Sequence, residues 1–346
     1  MKIIVCVGTG GVGKTSVAAS IALTQARAGA KCLVLTTDPS LRLRTALGLK
    51  DGLLEQRVPV PDAKGELWAA LLDVNATLDE AVRLYAKPGN QARILEHPIY
   101  RSIAGSLSGM QELMAVERID QLILRGFDNI VVDTAPSRHA LDVFDKPELF
   151  ANFSDSGRVR FVSRTYQFAE SVGLTAIGRG ALEFSSRVES ILGTTMVRQM
   201  LDFYSLFYPI AEGYSARARR TVGLLRDASV TEFRIVTIPA KALRDAQFFI
   251  EALNKRKFAI GMICVNRTWH HALPEVTPEG LAAELLDSYR SVSASHLSAI
   301  ARLRETFGAR VKEIRILNEL ERDVDGVESL RRLADQLEPS LSAAAS

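Results

Sequence analysis

Apolar, β-branched runs recur along the chain at 3–7, 31–37, 67–73, 129–133, 234–238, 260–265 and 311–316. They are apolar on both faces, the pattern of strands covered from two sides rather than strands with one wet face. Between them, apolar positions return at helical spacing. That alternation predicts a doubly wound α/β fold, a mostly parallel sheet with helices on both faces. A first helix is expected over 14–28, where Val17, Ile21 and Ala22 share a side and Gly29 supplies a stop. A last one is expected where Val327, Leu330, Leu333, Ala334 and Leu337 share a face opposite Glu328, Arg331, Arg332 and Asp335. That mixed charge favours a sheet-covering helix over one lying on a membrane. The tail after Pro339 is rich in Ser and Ala and is expected to fray.

The pattern changes over 148–227. Strand-like runs disappear, and aromatic residues such as Phe153, Phe168, Phe184, Phe203 and Phe207 recur at helical spacing. This segment reads as a helical subdomain inserted between strands of a single domain spanning 1–346, with a smaller helical piece at 76–103. Two readings of its apolar faces stand: packing within the protein, or an exposed groove for a hydrophobic client.

Composition narrows the class. The 346 residues are 47% hydrophobic and 24% charged, a globular balance with length enough for a large core. The net charge of +3 is too near balance to signal a nucleic-acid surface, and no nucleic-acid partner is expected. Cys6, Cys32 and Cys264 each fall inside an apolar run and read as small buried hydrophobes. No Cys-x-x-Cys occurs, so neither a zinc site nor a thiol redox pair is visible. The sequence enters a strand at once, leaving no room for a signal peptide, and no apolar run reaches membrane-spanning length. A cytoplasmic protein is expected.

Residues 8–15 read Gly-Thr-Gly-Gly-Val-Gly-Lys-Thr and follow the first strand run directly. Strand, glycine loop and helix in this spacing make a phosphate-binding loop. Glycines let the backbone wrap a phosphate closely, and their N–H groups form a nest for anionic oxygen. The helix that follows adds the positive end of its dipole. Gly10, Gly11, Val12, Gly13, Lys14, Thr15 and Ser16 are therefore the candidate nucleotide cradle. Lys14 brings a mobile charge for the β- and γ-phosphates, and the Thr15 hydroxyl suits Mg²⁺. The expected fold class becomes an α/β phosphate-loop NTPase with an inserted helical subdomain, using ATP and Mg²⁺.

Hydrolysis also needs a metal ligand and an oriented water. Asp133 ends the apolar run 129–133 and suits Mg²⁺, directly or through water; a plain turn-capping role is its alternative. Asp38 ends the second run, in Thr36-Thr37-Asp38-Pro39, where open α/β sheets bind ligands. Two roles stand for it: a base for the attacking water, or the N-cap of a helix over 41–47.

Taken in order, these motifs resemble those of the ArsA/GET ATPases. The glycine loop, Thr37-Asp38-Pro39, Leu107-Ser108-Gly109-Met110-Gln111-Glu112, Asp133-Thr134-Ala135-Pro136, Thr237-Ile238-Pro239 and Val265-Asn266-Arg267 follow that family's sequence of segments. The resemblance spans nearly the whole chain and is weakest in the helical insertion. It implies Asp38 as the first-switch carboxylate, Asp133 to Pro136 as the second switch, and Asn266 as the reader of adenine, its amide donating to and accepting from the base edge. It also implies a homodimer, and a hydrophobic or membrane-protein client.

The chain departs from the family at three points. Thr9 stands where a second loop lysine is usual. Arg138 stands where the second switch commonly has Gly, and is either a substitute cation or a surface arginine. The family's metal-binding cysteines are absent, which removes support for arsenite transport and for a zinc-clasped dimer. His270-His271 reads as a solvated loop, since adjacent histidines face apart and no third ligand is near. Two rivals stand: a nucleotide-dependent binding module with little turnover, made plausible by Thr9, and a positioning ATPase cycling on DNA or membrane. The basic face or basic amphipathic tail the second needs is not evident.

Overall fold

The predicted apolar runs all form strands. The computed structural model describes residues 1–38, 40, 42–49, 54–106, 110–135, 141, 144, 194–270 and 279–337. The strands are β1 (Lys2–Val7), β2 (Lys31–Thr36), β3 (Glu55–Val58), β4 (Glu66–Leu71), β5 (Asn129–Asp133), β6 (Thr231–Thr237), β7 (Ile260–Thr268) and β8 (Glu313–Asn318). They build one sheet in the order β3-β4-β2-β5-β1-β6-β7-β8. Every pairing is parallel except β3 with β4. The fold is thus an α/β one with a mostly parallel sheet, as the apolar patterning implied. Strand β3 was not foreseen. It is an edge strand reading Glu-Gln-Arg-Val, of which only Val58 is buried, so it lacks the apolar signature of the inner strands.

Among the described residues the chain forms two compact units. The first comprises Met1–Leu72, Leu122–Leu141 and Gly223–Ser346 and holds the sheet. Helix α1 (Lys14–Arg27) packs there with Val17, Ile21 and Leu23, α2 (Arg42–Leu47) with Leu43 and Leu47. They join Ile4, Cys6, Val34, Val131 and Cys264 on one face of the sheet. Leu330, Leu333 and Leu337 of the C-terminal helix Val327–Leu337 close the same cluster, so that helix covers the sheet as its charge pattern suggested. The three cysteines are buried and free, and burial raises each thiol, those of Cys32 and Cys264 to about 12. They are inert packing groups.

The second unit comprises Asp73–Gln121 and Asp142–Val222. Its described helices are α3 (Val74–Tyr85), α4 (Gln91–Glu96), α5 (Pro98–Ser106), α6 (Met110–Ile123) and α7 (Thr194–Arg226), the last two extending into the first unit. Asp73 caps α3, its Oδ1 accepting from Ala76 N at 2.7 Å. Of the expected insertion, 148–193 lies outside the described residues. Within α7, Phe203, Leu206, Ile210, Tyr214, Ala218 and Val222 recur at helical spacing and are buried, the packing reading of that apolar face.

The core of this unit also contains charge. Glu117, 1% exposed, accepts from Arg217 Nε at 3.1 Å. Asp120, equally buried, takes both oxygens' worth of bonds from Arg220 at 2.7 and 2.8 Å and one from Thr221 Oγ1 at 2.9 Å. The Arg217 guanidinium lies 3.5 Å from the centre of the Tyr85 ring. Burial raises the Glu117 pKa, and Arg217 opposes it. Such a pair fixes which turns of two helices face each other, because sliding by one turn strands a charge. Glu117→Ala should therefore destabilise the protein by about 3–5 kcal/mol in urea unfolding, whereas Glu117→Leu with Arg217→Leu should recover most of it.

Candidate nucleotide site

Parallel strands deliver their C-terminal ends to one edge of the sheet, and the candidate residues gather there. Beyond β1 the chain turns through the glycine loop into α1. Gly13 sits at φ 83°, ψ 26°, and a Cβ there would stand 2.3 Å from Asn266 Nδ2. At Gly8 a Cβ would stand 2.2 Å from the Val236 carbonyl oxygen. Gly8 requires glycine by its contact with backbone, and Gly13 by its left-handed conformation. The N-terminus of α1 carries no side-chain cap and no acidic residue in its first turn, which leaves its N–H groups for an anion.

A cleft of about 650 Å³ opens over this loop. Gly11 to Ser16, Asp38, Asn266 and Arg267 line it, together with Arg42 and the segment 318–324 that follows β8. All belong to the first unit. Lys14 is 6% exposed, with Nζ donating to Thr9 O at 3.3 Å. Burial lowers its pKa, while Asp133 and Asp38 pull the other way. Those two carboxylates therefore already serve as its counter-charges.

Asp133 is fully buried at the end of β5, in register with Cys6 of β1 and Thr36 of β2. Its Oδ2 accepts from Thr15 Oγ1 at 2.8 Å and from Thr36 Oγ1 at 3.0 Å. Its Oδ1 has no hydrogen-bond partner. Burial pushes its pKa up to about 6, against the two hydroxyl bonds and Lys14. The Thr15 hydroxyl, having given its proton to Asp133, turns lone pairs outward, and the orphaned Oδ1 needs a donor. A hydrated divalent cation supplies that donor, so the residues present fit Mg²⁺.

Asp38 follows β2. Its backbone N–H donates to Thr36 Oγ1 at 3.2 Å, and its Oδ1 accepts from Ser40 N at 3.0 Å. Arg42 stands 4.0 Å from Oδ2. The side chain closes a local Asx turn ahead of α2 and also faces the cleft. Ser40 N lies ahead of α2 (Arg42–Leu47), so Asp38 stabilises a local turn before that helix and does not cap it, while its carboxylate faces the cleft. Asn266, 6% exposed, donates through Nδ2 to Val12 O at 3.0 Å, so one amide proton already holds the loop. Arg267 next to it has φ 56°, unusual for a residue with a Cβ, where the β7 pairing with β8 shifts register.

Several site residues had no sequence signal of their own. Thr36 was visible only as a neighbour of Asp38. Asp245, on α8 (Ala242–Lys255), is 1% exposed and accepts from Thr9 Oγ1 at 2.8 Å and Thr237 Oγ1 at 3.2 Å. Lys241 donates to Gly10 O at 3.2 Å. An aspartate and a lysine in an amphipathic helix region read as surface charge until the fold places them. Pro39, 107–109, Pro136, Arg138 and His271 lie outside the described residues. His270 is exposed, and no group of three or more metal-ligating side chains occurs among the described residues.

A glycine loop between a central parallel strand and a bare helix N-terminus, with a strand-end aspartate bonded to the loop threonine, defines a phosphate-loop nucleotide-binding protein. The chain belongs to the ArsA family, described as anion-transporting ATPase, whose model matches residues 1–339. Curated relatives include the ATPase GET3 of Paracoccidioides lutzii, 24% identical over 95% of this chain and 88% of that protein. The ATPase get3 proteins of Aspergillus niger and Aspergillus terreus are 25% identical over the same shares. The activity is therefore that of an ATPase.

The raised pKa of Asp133 gives a stability test. Below 3.8 the group is protonated whether the chain is folded or not. As pH rises through about 6 the folded protein loses the advantage of keeping that proton. Without nucleotide or Mg²⁺, Asp133→Asn should be more stable than wild type above pH 6, by roughly 1–3 kcal/mol. The gap should close by pH 4. Urea midpoints across that range check it.

Proposed function

We propose that this protein is a Mg²⁺-dependent ATPase whose nucleotide state drives the binding, targeting or transport of a partner. The observation that carries the reading is the Thr15–Asp133–Thr36 cluster at the foot of the glycine loop. In this reading the N–H groups of 10–16 cradle the phosphates, and Lys14 leaves the Thr9 carbonyl to contact the β- and γ-oxygens. Thr15 and Asp133 would hold Mg²⁺, which when bound neutralises charge on the phosphate oxygens. Asp38 orients a water and accepts its proton as the water oxygen attacks the γ-phosphorus and ADP leaves. The buried position of Asp133 suits it to ligation and not to that proton transfer, since it already accepts two hydroxyl bonds. Asn266, with one amide proton and its carbonyl oxygen still available, reads the adenine edge.

The same proposal treats 148–227 as a helical subdomain within one ATPase domain, switched through the second-switch segment that follows Asp133. Chain continuity supports this: β5 is the last described strand before that insertion in the sequence. The resemblance of the ordered motifs to the ArsA/GET ATPases is what motivates the rest of the proposal: a homodimer with a hydrophobic or membrane-protein client, in the cytoplasm. No helix among the described residues is long and apolar enough to cross a membrane.

Purified protein tests the reading through phosphate release and nucleotide affinity. Lys14→Ala should abolish tight ATP binding, and wild-type affinity would sink the phosphate-loop assignment. Asp38→Asn should retain ATP and slow hydrolysis about 10²-fold or more, whereas normal turnover would leave Asp38 a turn residue only. With ATP and Mg²⁺ held by Asp38→Asn, hydrogen exchange over 148–227 should change. Identical protection with and without nucleotide would make that segment passive packing.

A further inference from the structure

Two amines hold successive carbonyls at the start of the glycine loop. Lys14 Nζ donates to Thr9 O at 3.3 Å, and Lys241 Nζ donates to Gly10 O at 3.2 Å. Lys14 is part of the glycine motif. Lys241 ends the 3₁₀ turn Pro239–Lys241 that follows β6. Strand β6 lies parallel to β1, with Ile235 in register with Val7, so both chains leave the sheet at one edge. The turn thereby brings Lys241 to Gly10, the residue preceding the stretch that lines the cleft.

Behind the loop the charge has the wrong sign for a phosphate site. Asp245 is buried, with Oδ2 accepting from Thr9 and Thr237 and Oδ1 without a partner. Thr9 is thereby turned toward α8 and brings no positive charge to the loop. A buried carboxylate at that position disfavours a nearby polyphosphate through a medium of low dielectric. The first turn of the loop thus needs a cation besides Lys14. Lys241 is already bonded there, solvent-accessible, and using one of its three protons. A loop carbonyl is a weaker partner than a phosphate oxygen for an ammonium group.

We infer that Lys241 is a second phosphate-binding cation of the nucleotide site, carried by the turn after β6 and parked on the Gly10 carbonyl until a polyphosphate takes its place. Asp245 is the accompanying positioning residue, fixing Thr9 and the entry of the loop. The inference rests on the phosphate-loop reading of residues 8–15.

Calorimetric titration with ATP, ADP and AMP tests it, on wild type, Lys241→Ala, Lys241→Arg and Lys14→Ala. Lys241→Ala should weaken ATP about tenfold, the size of one charge-assisted hydrogen bond, and leave AMP within twofold. Lys241→Arg should stay near wild type, and the ATP affinity of Lys241→Ala should depend less steeply on salt. ATP affinity unchanged in Lys241→Ala while Lys14→Ala is crippled would overturn the role of Lys241 alone. Equal losses for ATP and AMP, with a lowered melting temperature and no rescue by arginine, would overturn it in favour of a structural contact. Wild-type affinity in Lys14→Ala would instead remove the phosphate-loop reading itself.

Discussion

The Asp133 carboxylate is the constraint around which the site is arranged. Three parallel strands must end in register for it to meet Thr36 from β2 and Thr15 from the start of α1. Full burial makes the position costly for a charge, and the two hydroxyls offset only part of that cost. One oxygen stays unsatisfied. Fold stability and the proposed ligand chemistry are therefore opposed at this residue, and a cation held there would relieve the opposition. Under the proposed function, binding energy and folding energy would be coupled through this single buried group.

The sheet was largely legible in the sequence because burial on both faces leaves an unbroken apolar signature. Strand β3 was not, because an edge strand needs little apolar content and Glu55, Gln56 and Arg57 carry none. The glycine loop was legible for a different reason: close backbone approach admits no Cβ, as the contact at Gly8 shows. Asp38 and Asp133 were legible as carboxylates closing apolar runs. Asp245 and Lys241 were not, since nothing local distinguishes them from charges on any amphipathic helix. Their positions depend on β6 lying beside β1, which is information about topology and not about spacing.

Asn266 illustrates a third case. Its strand-end position was readable, and its nearness to a nucleobase followed only from resemblance to the ArsA/GET ATPases. The fold adds that its amide is bonded to Val12 O and presses on Gly13. If Asn266 reads the base as proposed, the same side chain would brace the phosphate loop and tie the two ends of the nucleotide site together. The left-handed conformation at Arg267 falls beside Asn266, where the β7–β8 pairing shifts register.

The order of the strands bears on how the chain reaches this state. Strands β1 and β2 are consecutive in sequence and never pair; β5 lies between them. A nascent chain that has made both must leave a slot one strand wide until residues 73–121 have been synthesised and β5 follows. The segment Leu122–Leu141 that carries β5 is flanked on both sides by parts of the other compact unit. Closure of the sheet thus waits on a long-range pairing, the slow kind of contact. The empty slot exposes two unpaired, largely apolar strand edges meanwhile. For this ATPase the aggregation risk during synthesis is set by connectivity: the slot is filled when the strand bearing Asp133 is inserted, and the far edge of β1 is covered only when β6 follows.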